Sequence, residues 1–180
     1  RPMISKGMLE RARDYAQINV DLLYPFVKEG IPIVGCEPSC LLTLSDEYPA
    51  LLRSASSEAV AQHVVLLDKF LLSLRDQGQL DLKFREHPEK VLFQGHCHQK
   101  ALVGTAPSLA ALRMVPSIQV EEIDAGCCGM AGAFGYEKEH YDLSMAIGER
   151  GIFPAIRAAS DARIVATGFS CRHQITDGTG

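Results

Sequence analysis

The chain has 180 residues, enough for a domain with a full core, and its 47% apolar and 22% charged residues are ordinary for a soluble globular protein. A net charge of −4 without any Lys/Arg block argues against nucleic acid and against an anionic membrane surface. The longest apolar runs, such as Val64-Val65-Leu66-Leu67, are too short to span a bilayer, and no secretory leader is visible.

Residues 5–24 read as a helix, with Met8, Leu9, Ala12, Tyr15, Ala16 and Val20 at helical spacing. Pro25 is expected to kink or restart it, and Gly30 to end it. Residues 31–34 read as a strand, 35–40 as a turn, and Ser39 as the cap of a helix through Leu41, Leu42 and Leu44. A loop over 50–56 precedes the longest predicted helix, 57–77, with Val60, Val64, Leu67, Leu71 and Leu74 on one face and Gly78 as its stop. Residues 79–89 are polar and without a clear pattern.

The second strand, 91–94, runs into Gly95-His96-Cys97-His98-Gln99-Lys100. Pro107 suits the first turn of a helix that ends near Pro116. The third strand, 118–123, delivers the chain to Asp124-Ala125-Gly126-Cys127-Cys128-Gly129. Residues 137–149 and 153–159 read as helical, 163–166 as the fourth strand, and 176–180 as a loose tail. Alternating strands and helices predict a three-layer α/β fold with a parallel sheet of about four strands. A cysteine motif follows each strand at once. The carboxyl ends of parallel strands share one edge, where open α/β sheets bind ligands, so the cysteines are expected to gather there.

Adjacent cysteines between glycines are hard to explain as packing. Neighbouring Cα atoms lie about 3.8 Å apart, below the roughly 4.4–6.8 Å usual across a disulfide. Six cysteines are also too sparse for a disulfide scaffold, which favours metal or redox chemistry in a reduced, cytoplasmic setting. Gly126 and Gly129 would let both sulfurs of Cys127 and Cys128 face one metal centre.

An internal repeat supports this layout. Ile33-Val34-x4-Ser39-Cys40 matches Ile164-Val165-x4-Ser170-Cys171, and Leu23-Tyr24-Pro25-Phe26-Val27-Lys28 matches Ile152-Phe153-Pro154-Ala155-Ile156-Arg157. By the same register Arg1 falls close to Met130, and the chain opens with Arg1-Pro2 and not Met. The expectation is therefore a fragment of a duplicated domain: 1–52 the back half of a first repeat, 53–89 a connecting helix, and 90–180 a complete second repeat, packed as one unit.

In the second repeat, 29 residues separate Cys97 from Cys127, and 42 separate Cys128 from Cys171. Together with Glu37-Pro38-Ser39-Cys40-Leu41-Leu42, His96-Cys97-His98-Gln99-Lys100 and Gly135-Tyr136-Glu137-Lys138-Glu139-His140, this pattern resembles the cysteine-rich CCG domain. That domain occurs in heterodisulfide reductase, in the iron–sulfur subunit of glycolate oxidase, and in the C-terminal region of large FAD-linked oxidases. The family pattern ends in C-x-x-C, whereas here Gln174 stands three residues after Cys171.

The resemblance implies an iron–sulfur electron-transfer module of an FAD-linked 2-hydroxy-acid dehydrogenase, such as a D-lactate dehydrogenase or a glycolate oxidase. It implies no catalytic residue in this chain and FAD only in the full-length protein. It implies as partners a flavin dehydrogenase domain of the same protein, other iron–sulfur domains, and an acceptor such as a quinone or cytochrome, with peripheral attachment to an inner membrane through them. Cys97, Cys127, Cys128 and Cys171 are the ligands it carries over, for a [4Fe–4S] or non-cubane cluster.

Zinc remains an alternative, held by Cys97, Cys127, Cys171 and His98 in a structural or docking module. A thiol–disulfide reductase site is another, and buried structural thiols a third. His173 is a weaker ligand candidate. So is Cys40, the repeat-one counterpart of Cys171. Cys36, which Thr167 replaces in the other repeat, reads as a small apolar filler. His63, His140, Asp124 and Glu137 read as surface, capping or ordinary half-buried groups. Gly126-x-x-Gly129-x-x-Gly132 lacks the spacing of a phosphate loop.

Overall fold

The computed structural model describes residues 1–180. The chain divides into two units, Arg1–Phe70 and Leu71–Gly180. Each holds an apolar cluster of its own and a parallel sheet of its own. The expected α/β fold with parallel strands is therefore present, with five strands in two sheets rather than about four in one.

The first unit begins with a short helix α1 (Pro2–Ser5) and the long helix α2 (Leu9–Lys28). α2 buries Ala12, Ala16, Val20 and Val27. Tyr15, Ile18, Leu22 and Phe26 recur on another face and stay exposed. Pro25 does not break α2: it lies in the last turn, where the ring displaces one carbonyl and little helix remains to disturb. Gly30, at φ +76°, follows its end.

Strand β1 (Ile33–Gly35) leads to α3 (Pro38–Leu52). The cap of α3 is Glu37 and not Ser39. Glu37 Oε2 accepts from the Cys40 N–H at 2.6 Å, and Pro38 fills the first turn, where no N–H is needed. The loop expected over 50–56 shrinks to Arg53, at φ +50°, and Ser54, whose hydroxyl accepts from the N–H of Ser57 to cap α4 (Ala55–Gln62).

The single helix expected over 57–77 is likewise three elements: α4, strand β2 (Val64–Leu66) and α5 (Leu67–Asp76). The β-branched pair Val64-Val65 fits a pleated strand better than a helix. It pairs parallel to β1 with Ile33 opposite Val64.

The second unit contains β3 (Lys90–Gln94), α6 (Cys97–Leu102), α7 (Ala106–Leu112), β4 (Gln119–Glu122), α8 (Tyr141–Gly148), α9 (Ile152–Ala158), β5 (Arg163–Ala166) and α10 (Phe169–Thr179). Its sheet has the order β4-β3-β5, all parallel. The central strand β3 is apolar and buried from Val91 to Phe93, as a strand with neighbours on both edges should be. Of the helix expected over 137–149, the first residues form a 3-10 turn, Lys138–His140, and α8 begins at Tyr141; a further 3-10 turn, Phe134–Tyr136, precedes them.

Residues 176–180 are not a loose tail. α10 runs to Thr179, buries Ile175, and lays Gly178 against the ring of Phe153. Phe153 is fully buried, and its ring also sits against Gly148, so neither glycine has room for a β-carbon. Arg157 ties the same elements by donating to both carboxylate oxygens of Glu149 and to the Gly178 carbonyl. The matched repeat blocks share one element order, helix–strand–helix, as α2–β1–α3 and α9–β5–α10. No helix is long and apolar enough to cross a membrane.

Candidate metal centre

The carboxyl ends of β3, β4 and β5 deliver three segments to one edge of the second unit. After β3, Gly95 has no space for a side chain, because a β-carbon would collide with Thr105 and press on Lys100. His96 then caps α6 by accepting from the His98 N–H at 3.1 Å, which leaves Cys97 as the first helical residue. After β5, Gly168 lies so close to the His96 ring that a β-carbon would overlap it. Thr167 joins the two segments, donating to Gln99 Oε1 at 2.9 Å and accepting from the His96 N–H at 3.2 Å. Gln99 donates in turn to Ser108.

The loop after β4 is held from both sides. Lys100 Nζ donates to the Ala125 carbonyl at 2.8 Å. Gln94, fully buried at the end of β3, donates to the Gly95 carbonyl at 2.9 Å and lies 3.5 Å from the Gly126 carbonyl. Gly129, at φ +104°, packs on the Ser144 backbone.

This scaffold brings four sulfurs together. Cys97 is hydrogen-bonded to Cys127, Cys127 to Cys128, and Cys128 to Cys171. Cys97 and Cys127 are half-buried, whereas Cys128 and Cys171 are buried. Cys127 is pushed far below the ordinary thiol range, because Cys128 and then Cys97 donate to its sulfur and the backbone N–H groups of Gly129 and Ala131 add to them. Cys97 is pushed up by donating to Cys127 and by burial. Cys128 is pushed up by its bonds to Cys127 and Cys171 and by burial. Donation from the neighbouring thiols and backbone N–H groups thus favours negative charge on the Cys127 sulfur. Four cysteines linked in a chain supply the sulfur donors that an iron–sulfur cluster uses, and the same donor type that zinc takes.

The weaker candidates lie elsewhere. His98 follows Cys97 on α6 with its N–H on His96. His173 is exposed, its ring between those of Phe169 and Tyr136 at 4.4 and 6.0 Å. Cys36 and Cys40 belong to the first unit, and both are exposed. Burial and then Glu37 push the Cys40 thiol up. His140 stacks on Phe134 and pairs with Glu137. Sequence reasoning missed the polar frame of Gln94, Gln99, Lys100, Thr167, Ser144 and Gln174. Its only trace was a set of amides and hydroxyls beside the cysteines.

Comparison with known proteins bears on what this site serves. The chain is 31% identical over 175 residues to one subunit of the anaerobic glycerol-3-phosphate dehydrogenase of Escherichia coli K12, a match that covers 97% of the chain and 43% of that subunit. It is 34% identical over 179 residues to D-2-hydroxyglutarate dehydrogenase of the same strain, covering 97% of the chain and 17% of the relative. The Haemophilus influenzae D-2-hydroxyglutarate dehydrogenase is 28% identical over 183 residues, again across 97% of the chain and 17% of the relative. The chain is homologous to part of two kinds of dehydrogenase. It spans less than half the length of these curated relatives. No protein-family profile matches it, and no solved structure matches it.

Proposed function

We propose that this chain is the iron–sulfur electron-transfer segment of a larger FAD-linked dehydrogenase acting on a 2-hydroxy acid. The supporting observation is the convergence of Cys97, Cys127, Cys128 and Cys171 at one sheet edge, within a stretch that matches dehydrogenases along 97% of its length. In this reading the four thiolates hold the cluster, which supplies a one-electron carrier when bound. Burial of Cys128 and Cys171 excludes water from one side of it. The half-exposed Cys97 and Cys127 lie towards the solvent side, and the Gly129 and Ala131 N–H groups stabilise negative charge on sulfur. The alcohol oxidation takes place on a flavin domain outside this stretch, and electrons leave towards a quinone or cytochrome.

Anaerobic reconstitution of the chain with iron and sulfide tests the reading. The expected product holds about four irons per chain and a broad visible absorption that bleaches on reduction. A colourless protein with about one zinc per chain, or one that takes up neither metal and reduces disulfides, would replace this reading with a structural or a thiol-exchange role.

A further inference from the structure

Gln174 stands three residues after Cys171 on α10, on the same helix face and one turn along. The family pattern resembled by this chain has a cysteine at that place. Here the position is filled by an amide that is 2% exposed. Its Nε2 donates to the Ser144 carbonyl at 2.9 Å and lies 3.0 Å from the Ser144 hydroxyl. The same nitrogen lies 3.0 Å from where a β-carbon on Gly129 would stand, and the Ser144 carbonyl occupies that place outright. This α10 amide thus bonds to α8 and packs beside the double-cysteine loop at Gly129. The two buried sulfurs lie beside it along the chain: Cys128 precedes Gly129, and Cys171 is one turn back along α10. In the other repeat Thr43 stands three residues after Cys40. It is equally buried, but its hydroxyl turns back to the Ser39 carbonyl of its own helix and ties nothing else.

We propose that Gln174 is a positioning residue, a clamp that sets Cys128 against Cys171. This rests on the reading of both cysteines as ligands only for its second consequence, not for its first. The first consequence concerns the metal-free chain. Removing the amide donors while keeping the length, as in Gln174→Met, releases α10 from α8, on whose Ser144 carbonyl Gly129 is seated, and opens the buried sulfurs to reagents. The second concerns the loaded chain, in which a looser Cys128–Cys171 pair releases iron faster and changes the spectrum of the reduced centre.

The test uses the 180-residue chain, with alkylation of each cysteine followed by mass spectrometry in the metal-free protein. Gln174→Met should raise the rates at Cys128 and Cys171 relative to Cys97 by about tenfold, as expected of a local opening and not a global one. Ser144→Ala keeps the carbonyl acceptor and should leave that ratio within about twofold of wild type. Val91→Ala, in the central strand and outside the cluster that holds Cys128 and Cys171, loosens the core away from the clamp and should raise all three rates together.

In the reconstituted chain, Gln174→Met should shift the electron paramagnetic resonance spectrum of the reduced centre and speed iron loss to a chelator, where Ser144→Ala does neither. An unchanged alkylation ratio in Gln174→Met, or an equally raised ratio in Val91→Ala, overturns the clamp. A raised ratio in Gln174→Met, alongside a wild-type chain that takes up no metal, upholds the clamp and removes the iron–sulfur reading instead.

Discussion

The Ser144 carbonyl occupies the space that a β-carbon on Gly129 would need. Gly129 also has φ +104°, a conformation that L side chains rarely adopt. Backbone strain of about 1–3 kcal/mol and overpacking of about 1–3 kcal/mol therefore act together, and Gly129→Ala should destabilise the metal-free chain by roughly 3 kcal/mol or more. Gly126 has open space where a β-carbon would stand and no positive φ, so Gly126→Ala should cost under about 1 kcal/mol. Denaturant unfolding of the two variants measures the contrast, and equal midpoints would show that Gly129 is not held as described.

Glu89 joins β3 to β5. Both its carboxylate oxygens accept from Arg163 Nε at 2.8 Å, and His87 Nε2 lies 2.8 Å from one of them. The hydrogen bond from Arg163 is the main reason its carboxyl titrates below the ordinary range. A carboxyl depressed in the folded state contributes stability that is present above its unfolded pKa and is lost as pH falls through the folded one. The Glu89→Gln variant should therefore melt below wild type at neutral pH and converge with it in acid. The pair is exposed, so the gap should be small and should shrink with added salt. A gap that widened in acid would contradict the assignment.

Which parts of this architecture were readable in the sequence follows from where the signals are local. The strands β3 and β5 are short apolar runs bounded by charge and glycine, and parallel topology then places Cys97, Cys127, Cys128 and Cys171 at one edge. Two elements were hidden because their signals are tertiary. α10 lacks a strong apolar stripe, and its burial depends on Phe153 reaching Gly178. The run 57–77 has helical spacing throughout, yet Val64 and Val65 pair with β1. On α2 the spacing of Tyr15 is as good as that of Ala16, and only packing shows that Ala16 is buried and Tyr15 exposed. The polar frame around the sulfurs was out of reach for a similar reason: Thr167 and Gln99 are 68 residues apart.

Phe153 offers a test of the second unit's core. Its ring is wholly buried among Gly148, Gly178, Ile152 and Ile156, where no side chain can collapse into a void from the glycine sides. Phe153→Ala should cost about 3–5 kcal/mol, towards the upper end because the site relaxes poorly. Gly178→Ala should be destabilising as well, since its methyl would meet the same ring, although alanine is the better helix former. A stabilising Gly178→Ala, read as a raised midpoint in denaturant, would mean that the ring does not sit against α10.

The repeat poses the last test, because Cys40 and Cys171 occupy matched positions but different surroundings. Cys171 is buried and hydrogen-bonded to Cys128. Cys40 is exposed, and Glu37 is the group that raises its pKa besides burial. The sequence already ranks Cys40 below Cys171 as a ligand, and their surroundings differ in the same sense. Cys128→Ser and Cys171→Ser each remove one of four converging sulfurs, so iron in the reconstituted chain should fall from about four per chain to under about one. Cys40→Ser and Cys36→Ser should leave both the iron content and the absorption unchanged. Iron retained in full by Cys128→Ser would detach the double cysteine from the site. Iron lost in Cys40→Ser would bring the first unit into it, and the four-sulfur set of the second unit would then be incomplete by itself.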